Sequence, residues 1–197
     1  MEKPKYLPID RLFKKIDEPH RSQCWKIYLD NLKLFCEAAG SSHNHQNWRG
    51  GYLDHVVESM NIAVLFYNRL GSARPLAFSL SDTLLICFLH DLEKPFHWQT
   101  LYYNSGVPVR RALWHTKEER KAFREQKLAE YGIKLTPEQA NAMRYVEGEG
   151  ADYTNERRVM NELAAFCHLC DIWSARGWHS YPLAENDSWA GAKRSGG

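Results

Sequence analysis

His55, the neighbours His90 and Asp91, and Asp171 are the residues of this chain whose types and settings can do chemistry. His55 follows Gly50-Gly51 by one helical turn and falls near the buried edge of an apolar pattern. His90-Asp91 closes the apolar run of residues 84–89, and Asp171 stands between Cys170 and Ile172. A carboxylate beside such apolar stretches is costly unless it is paired or bound to a metal. Together the four side chains offer two imidazole nitrogens and two carboxylate oxygens. That set suits a borderline-to-hard divalent ion such as Mn, Fe, Co, Ni or Zn, with positions left open for water and substrate. Each piece also has a plain reading, since a His-Asp dipeptide is common and an Asp in an apolar helix is usually helix-terminal or salt-bridged. It is the combination, one or two such residues on each of three apolar-faced helices, that points to a metal.

The elements that must position these residues read as helices. Trp25, Tyr28, Leu29, Leu32, Phe35 and Cys36 recur at helical spacing and predict a helix over 23–38, with Gly40 beyond its end. A second helix spans 52–70 with Leu53, Val56, Val57, Met60, Ala63 and Val64 in its buried stripe and Gly71 as its stop. A third covers 81–91, a buried central helix, and Pro95 lies past its end. Residues 95–115 read as irregular and aromatic. Thr116 with Glu119 forms a capping box for a helix to Tyr131, and Thr136-Pro137 with Gln139 repeats the signal for a shorter one to about Val146. Thr154 is read as the start of a last long helix through Asp171 to about Arg176. No segment alternates as a strand would. The expected class is all-α, a bundle of about six or more helices with a metal site between them. Residues 1–22 read as a surface arm, 23–178 as the functional domain and 179–197 as a loosely attached tail.

The chain has 197 residues, 44% of them hydrophobic and 25% charged, which is ordinary for one globular domain. Lys and Arg total 26 against 24 Asp and Glu, a net charge of +2, which argues against a dedicated nucleic-acid coat. No apolar run is long enough for a transmembrane helix, and the first residues lack a signal peptide's apolar stretch. No membrane partner is expected. Five cysteines, an odd number thinly spread, read as reduced thiols of a cytoplasmic protein. Cys167 and Cys170 lack the second pair that zinc would need and read as packing residues.

Three stretches resemble the HD-domain superfamily of metal-dependent phosphohydrolases: Gly50-Gly51-Tyr-Leu-Asp-His55, Phe88-Leu-His90-Asp91-Leu-Glu-Lys94 and Cys167-His-Leu-Cys-Asp171. The first is similar to a Gly-Gly-x-x-x-His segment of HD proteins that include bacterial exoribonucleases. The second is close to His-Asp-x-Gly-Lys, with Glu93 where glycine is usual. Together with residues 171–176, the likeness extends to HD proteins of bacteriophages and covers about 40–178. It implies an all-α fold, a divalent metal (Mg joins the ions above) held by His55, His90, Asp91 and Asp171, and hydrolysis of phosphate esters or anhydrides. It gives Asp91 the task of orienting or deprotonating a metal-bound water, and Lys94 that of neutralising developing phosphate charge. Without the resemblance Lys94 reads equally well as a surface lysine.

Two-metal members of the superfamily carry extra histidines between the His-Asp pair and the last Asp. Here His115 stands at a comparable place and Glu147 where a histidine would be expected, which puts a two-metal centre in doubt. His115 is open to two other roles, a phosphate contact or the cap of the helix at Thr116. His45 matches a histidine that touches the scissile phosphate in exoribonuclease-like relatives, or it is simply exposed in its loop, as is His43. Arg49, Arg176 and the Arg110-Arg111 pair are candidate phosphate partners, with solvated surface charge as the plainer reading of each. Trp48, Trp98 and Tyr102 can stack a base or simply pack. The expected substrate is a nucleotide, hydrolysed as by a 5′-nucleotidase or a deoxynucleotide triphosphohydrolase. The alternatives are a phosphodiesterase on RNA, single-stranded DNA or a cyclic nucleotide, and a silent module that binds a nucleotide or protein. A homo-oligomer is left open.

Overall fold

The computed structural model describes residues 3–41, 44–102 and 108–195, with the backbone alone for 98–102 and 108–111. Apart from one short hairpin it is built of helices, the all-α class that the periodicity predicts. Among the described residues there are eight α-helices: α1 (Ile9–Phe13), α2 (His20–Asp30), α3 (Leu32–Glu37), α4 (Gly51–Ala73), α5 (Leu80–Leu89), α6 (Lys117–Glu130), α7 (Pro137–Tyr145) and α8 (Glu162–Ile172). The chain winds into a wider π-helical turn at Trp173–Gly177 directly after α8. Residues 95–115, expected to be irregular, contain a small antiparallel hairpin of β1 (Trp98–Tyr102) and β2 (Pro108–Ala112), with Trp98 opposite Ala112 and Tyr102 opposite Pro108. Neither strand has the apolar-polar alternation by which a half-buried strand is read from sequence.

The core lies where α4, α5 and α8 meet. Every residue of α4 from Gly51 to Ala63 is buried, and so is α5 from Thr83 to Leu89. The apolar run 84–89 is thus the central helix its composition predicts. Its start is fixed by a capping box in which the Ser79 hydroxyl accepts from the Asp82 N–H and the Asp82 carboxylate accepts from the Ser79 N–H. The boxes read at Thr116/Glu119 and Thr136/Gln139 form as the spacing predicts. No helix among the described residues is long and apolar enough to cross a membrane.

Five boundaries differ from expectation. The helix expected over 23–38 breaks at Asn31, whose side-chain amide donates to the Ile27 carbonyl at 2.8 Å and to the Tyr131 hydroxyl at 3.1 Å. Gly71 does not end α4, which runs on to Ala73. Residues 1–22 are no surface arm: Leu12, Phe13 and Ile16 are fully buried, and Phe13 packs edge-on against Phe88 at 4.8 Å. The tail is bound as well. Trp189 packs against Tyr6 at 5.2 Å, and the Ser195 N–H and hydroxyl both donate to Asp54 at 2.7 Å. Both ends carry only a few apolar residues between prolines and charges, too few to show a period.

The last helix also starts later than expected, at Glu162 rather than Thr154. The Asn161 side chain caps it by accepting from the Ala164 N–H at 2.7 Å and donates to the Glu138 carbonyl at 3.0 Å. Upstream, the N–H groups of Val159 and Met160 donate to the Glu149 carboxylate, which holds that strand of chain straight. Asn161→Ala is expected to lower the unfolding free energy by about 1–2 kcal/mol, since it removes the cap and a tie to α7. An unchanged denaturant midpoint would contradict this account of the boundary.

Candidate metal centre

The site begins at the two glycines. Gly50 caps α4 with a left-handed φ of 78°. Gly51 must lack a side chain, because a Cβ there would lie 1.8 Å from the Gln46 carbonyl oxygen. This close approach seats the 40–50 loop on the end of α4 and leaves His55 one turn further along, fully buried. His90 and Asp91 follow α5 directly, and Asp171 comes from the last turn of α8.

The three elements bring four acceptor atoms together. His55 Nε2 lies 3.4 Å from His90 Nε2, 3.6 Å from Asp91 Oδ2 and 3.1 Å from Asp171 Oδ1. His90 Nε2 lies 3.3 Å from Asp91 Oδ2 and 3.4 Å from Asp171 Oδ1. The donor atoms of His55, His90 and Asp91 all fall within 4.8 Å of one another, and Asp171 joins them through both histidines. Ligands at about 2.0–2.2 Å from one ion and about 90–110° apart are separated by roughly 2.8–3.6 Å, which matches the observed spacing.

The far sides of the rings fix their orientation. His90 Nδ1 donates to the Cys87 carbonyl at 2.8 Å, so in the neutral ring Nε2 carries its lone pair toward Asp91 and Asp171. His55 Nδ1 meets the Ser174 hydroxyl at 3.0 Å. Gathered lone pairs and carboxylates repel unless a cation lies among them, so the donor set fits a divalent ion. Burial disfavours charge on His90 and Asp91. For His90 it is outweighed by Asp91 and Asp171, which hold the ring's pKa above its ordinary value. For Asp91 it is outweighed by Lys94 and His90, which hold the carboxyl below its usual range. Lys94 forms an ion pair with Asp91. Asp91 Oδ1 is buried with no hydrogen-bond partner among the described residues. A metal-ligand imidazole that loses its outer hydrogen bond commonly loses 10–100-fold in metal affinity. Ser174→Ala is therefore expected to weaken divalent-metal binding by about that factor, measurable by competition with a chromophoric chelator.

Asp171 retains 18% exposure and opens onto a cleft of about 660 Å³. Lys94, Arg176, His45 and Glu147 line this cleft, together with His168 and His179. His45 is half-buried rather than exposed, its ring 4.9 Å from that of His55. Burial, and then the neighbouring His55 charge, lower its pKa to about 4, so it is neutral at pH 7. Glu147 is exposed. Two candidates fall elsewhere. Arg49 is exposed and pairs with Glu37 at 3.5 Å. His115 is exposed and lines a second cavity that Lys94 also lines, and its backbone N–H donates to Glu119 at the start of α6. His115 and Glu147 therefore line different cavities. Trp48 lies under the Arg194 guanidinium at 3.9 Å and donates its indole N–H to Asp54, which is packing rather than base stacking. His43 and the side chains of Trp98, Tyr102, Arg110 and Arg111 lie outside the described residues. The five cysteines are free, and burial pushes the Cys167 and Cys170 thiols up, as packing residues require.

Sequence reasoning did not single out Gln46, Ser174, His168 or His179. Gln46 takes a left-handed φ of 41° and is fully buried. Its side-chain amide donates to the carbonyls of Tyr181 at 3.0 Å and of Ser174 and Trp178 at 3.3 Å. It thereby ties the 40–50 loop to the turn that carries Ser174. Ser174 had a readable signal, since it follows Asp171 by three residues on one helical face; Gln46 had none. Comparison of the chain with protein-family models, curated proteins and solved structures finds no match to any of them.

Proposed function

We propose that the protein is a metal-dependent phosphohydrolase acting on nucleotides. The observation that carries this reading is the convergence of His55 Nε2, His90 Nε2, Asp91 Oδ2 and Asp171 Oδ1 at the floor of a polar cleft. These four side chains would hold the divalent ion, with the HD-like order of their motifs as independent support from the sequence. When bound, such an ion lowers the pKa of water and draws charge off a phosphoryl oxygen. The remaining steps belong to the chain. Asp91, whose Oδ1 has no hydrogen-bond partner among the described residues, would take the proton from the attacking water. Lys94 and Arg176 face the cleft as cations for the phosphate, and His168 and His179 add polar contacts. His168 is already oriented, with Nδ1 bonded to the Val146 carbonyl at 2.6 Å.

The test is a phosphate-release screen with Mn, Co, Ni, Mg and Zn over mononucleotides and short oligonucleotides. Release from a mononucleotide that chelator abolishes and metal restores is the expected result. Cleavage of oligonucleotides alone would replace this reading with a phosphodiesterase. No turnover by a sample shown by elemental analysis to bind no metal would replace it with a binding module.

A further inference from the structure

Glu58 follows His55 by three residues on α4 but has no part in the metal centre. It is only 2% exposed, and its Oε2 finds no hydrogen-bond partner among the described residues. It lines a separate pocket of about 240 Å³ together with Trp178, Tyr181, Asp187 and Trp189, with Lys3 at the side. The Trp178 ring lies 5.6 Å from that of Trp189 at 70°, and 6.4 Å from that of Tyr181 at 55°. The two tryptophan rings pack edge to face, and the Tyr181 ring is tilted against Trp178.

Two carboxylates, Glu58 and Asp187, line this pocket, with the Lys3 ammonium at its side. Asp187 accepts from the N–H groups of Leu183 and Trp189, which fixes its carboxylate in the 183–189 loop. Asp54 adds to the negative field at Glu58. Lys3 makes no ion pair with Glu58 or Asp187 within 4.0 Å among the described residues. Glu58, with the Tyr6 hydroxyl beside it but outside hydrogen-bond geometry, and the fixed Asp187 carboxylate share this pocket with three aromatic rings, whose faces carry negative charge density; such a set suits an organic cation. The volume admits a small head group and excludes a nucleotide.

We propose that this pocket binds a small alkylammonium cation, with Glu58 as its counter-charge and Trp178, Tyr181 and Trp189 as its walls. Burial, then Asp187 and Asp54, push the Glu58 carboxyl up to about 7. The groups facing it are the Tyr6 hydroxyl, Asp54, Asp187 and, at the rim, Lys3. A bound cation favours the ionised form, so binding strengthens as pH rises from about 6 to about 8.

The experiment titrates the full chain with choline and with its uncharged carbon isostere 3,3-dimethyl-1-butanol, followed by tryptophan fluorescence and calorimetry. Choline is expected to bind at least about tenfold more tightly than the isostere. Glu58→Gln keeps the shape and removes the charge, and is expected to bring choline down to the level of the isostere. Circular dichroism checks that this variant is folded; if it is not, the comparison of the two probes on the unaltered chain decides alone. No choline binding, equal binding of the two probes, or full affinity in a folded Glu58→Gln would overturn the proposal.

Discussion

Asparagine in place of Asp91 is expected to reduce metal-dependent phosphate release by about 10³-fold or more and to strip the divalent ion from the purified protein. Asp91 Oδ2 is 3.3 Å from His90 Nε2 and 3.6 Å from His55 Nε2, and it also holds Lys94. The amide has almost the same shape, but it removes the negative charge and turns either a carbonyl or an NH₂ group toward the imidazoles. Neither replaces an anionic ligand. Lys94 loses its partner too, but with 26% of its side chain exposed it can turn into the cleft, so the fold should survive. Steady-state kinetics and elemental analysis of the same sample are the measurements. An asparagine variant that turns over at the normal rate with metal bound would remove Asp91 from the chemistry.

The second large effect is on stability and depends on pH. Glu58→Gln is expected to raise the unfolding free energy by up to about 3.5 kcal/mol at pH 8 and to change it little near pH 4, at about 1.4 kcal/mol per unit of pKa difference. Burial raises the Glu58 carboxyl from 4.5 to about 7; Asp187 and Asp54 add to this, and the Tyr6 hydroxyl works against it without meeting hydrogen-bond geometry. Below about 4.5 the group is protonated whether the chain is folded or not, so it contributes no difference. Between 4.5 and about 7 the folded chain holds the proton more strongly than the unfolded one, and stability falls as pH rises. Above about 7 the ionised carboxylate is buried at full cost. Glutamine removes the dependence. Denaturant unfolding at pH 4, 6 and 8 would show the two curves diverging upward in pH; parallel curves would mean that Glu58 titrates normally.

The parts of this molecule legible in the sequence are those written in local pattern. The run 84–89 has no polar face and had to be central. The Thr116 and Thr136 boxes need only three residues each to be recognised. His55, His90, Asp91 and Asp171 stood out because polar groups in apolar helices require a partner, and the structure brings them together. What was not legible depends on contacts between distant segments. Leu12 and Phe13 sit in a helix of five residues, too short to show a period. Trp189 and Ser195 are held by Tyr6 and Asp54, far away in sequence. Arg49 was placed at the cleft by its nearness to Gly50, but the turn there directs it to Glu37 instead. The start of α8 was misjudged because Thr154 has the chemistry of a cap, whereas Asn161 has both the chemistry and the neighbours.

Gln46 shows how narrow chemical tolerance can be at a position that touches neither substrate nor metal. Its side-chain nitrogen is ringed by three backbone oxygens, with the Ser174 hydroxyl at 3.4 Å. Exchange of a single NH₂ for O⁻, by mutation to glutamate or by slow deamidation, keeps the outline of the side chain and reverses every interaction it makes. The loop beneath the two glycines would then be pushed away from the turn that steadies His55. An ageing sample is then expected to bind the proposed metal more weakly while His55, His90, Asp91 and Asp171 remain chemically intact.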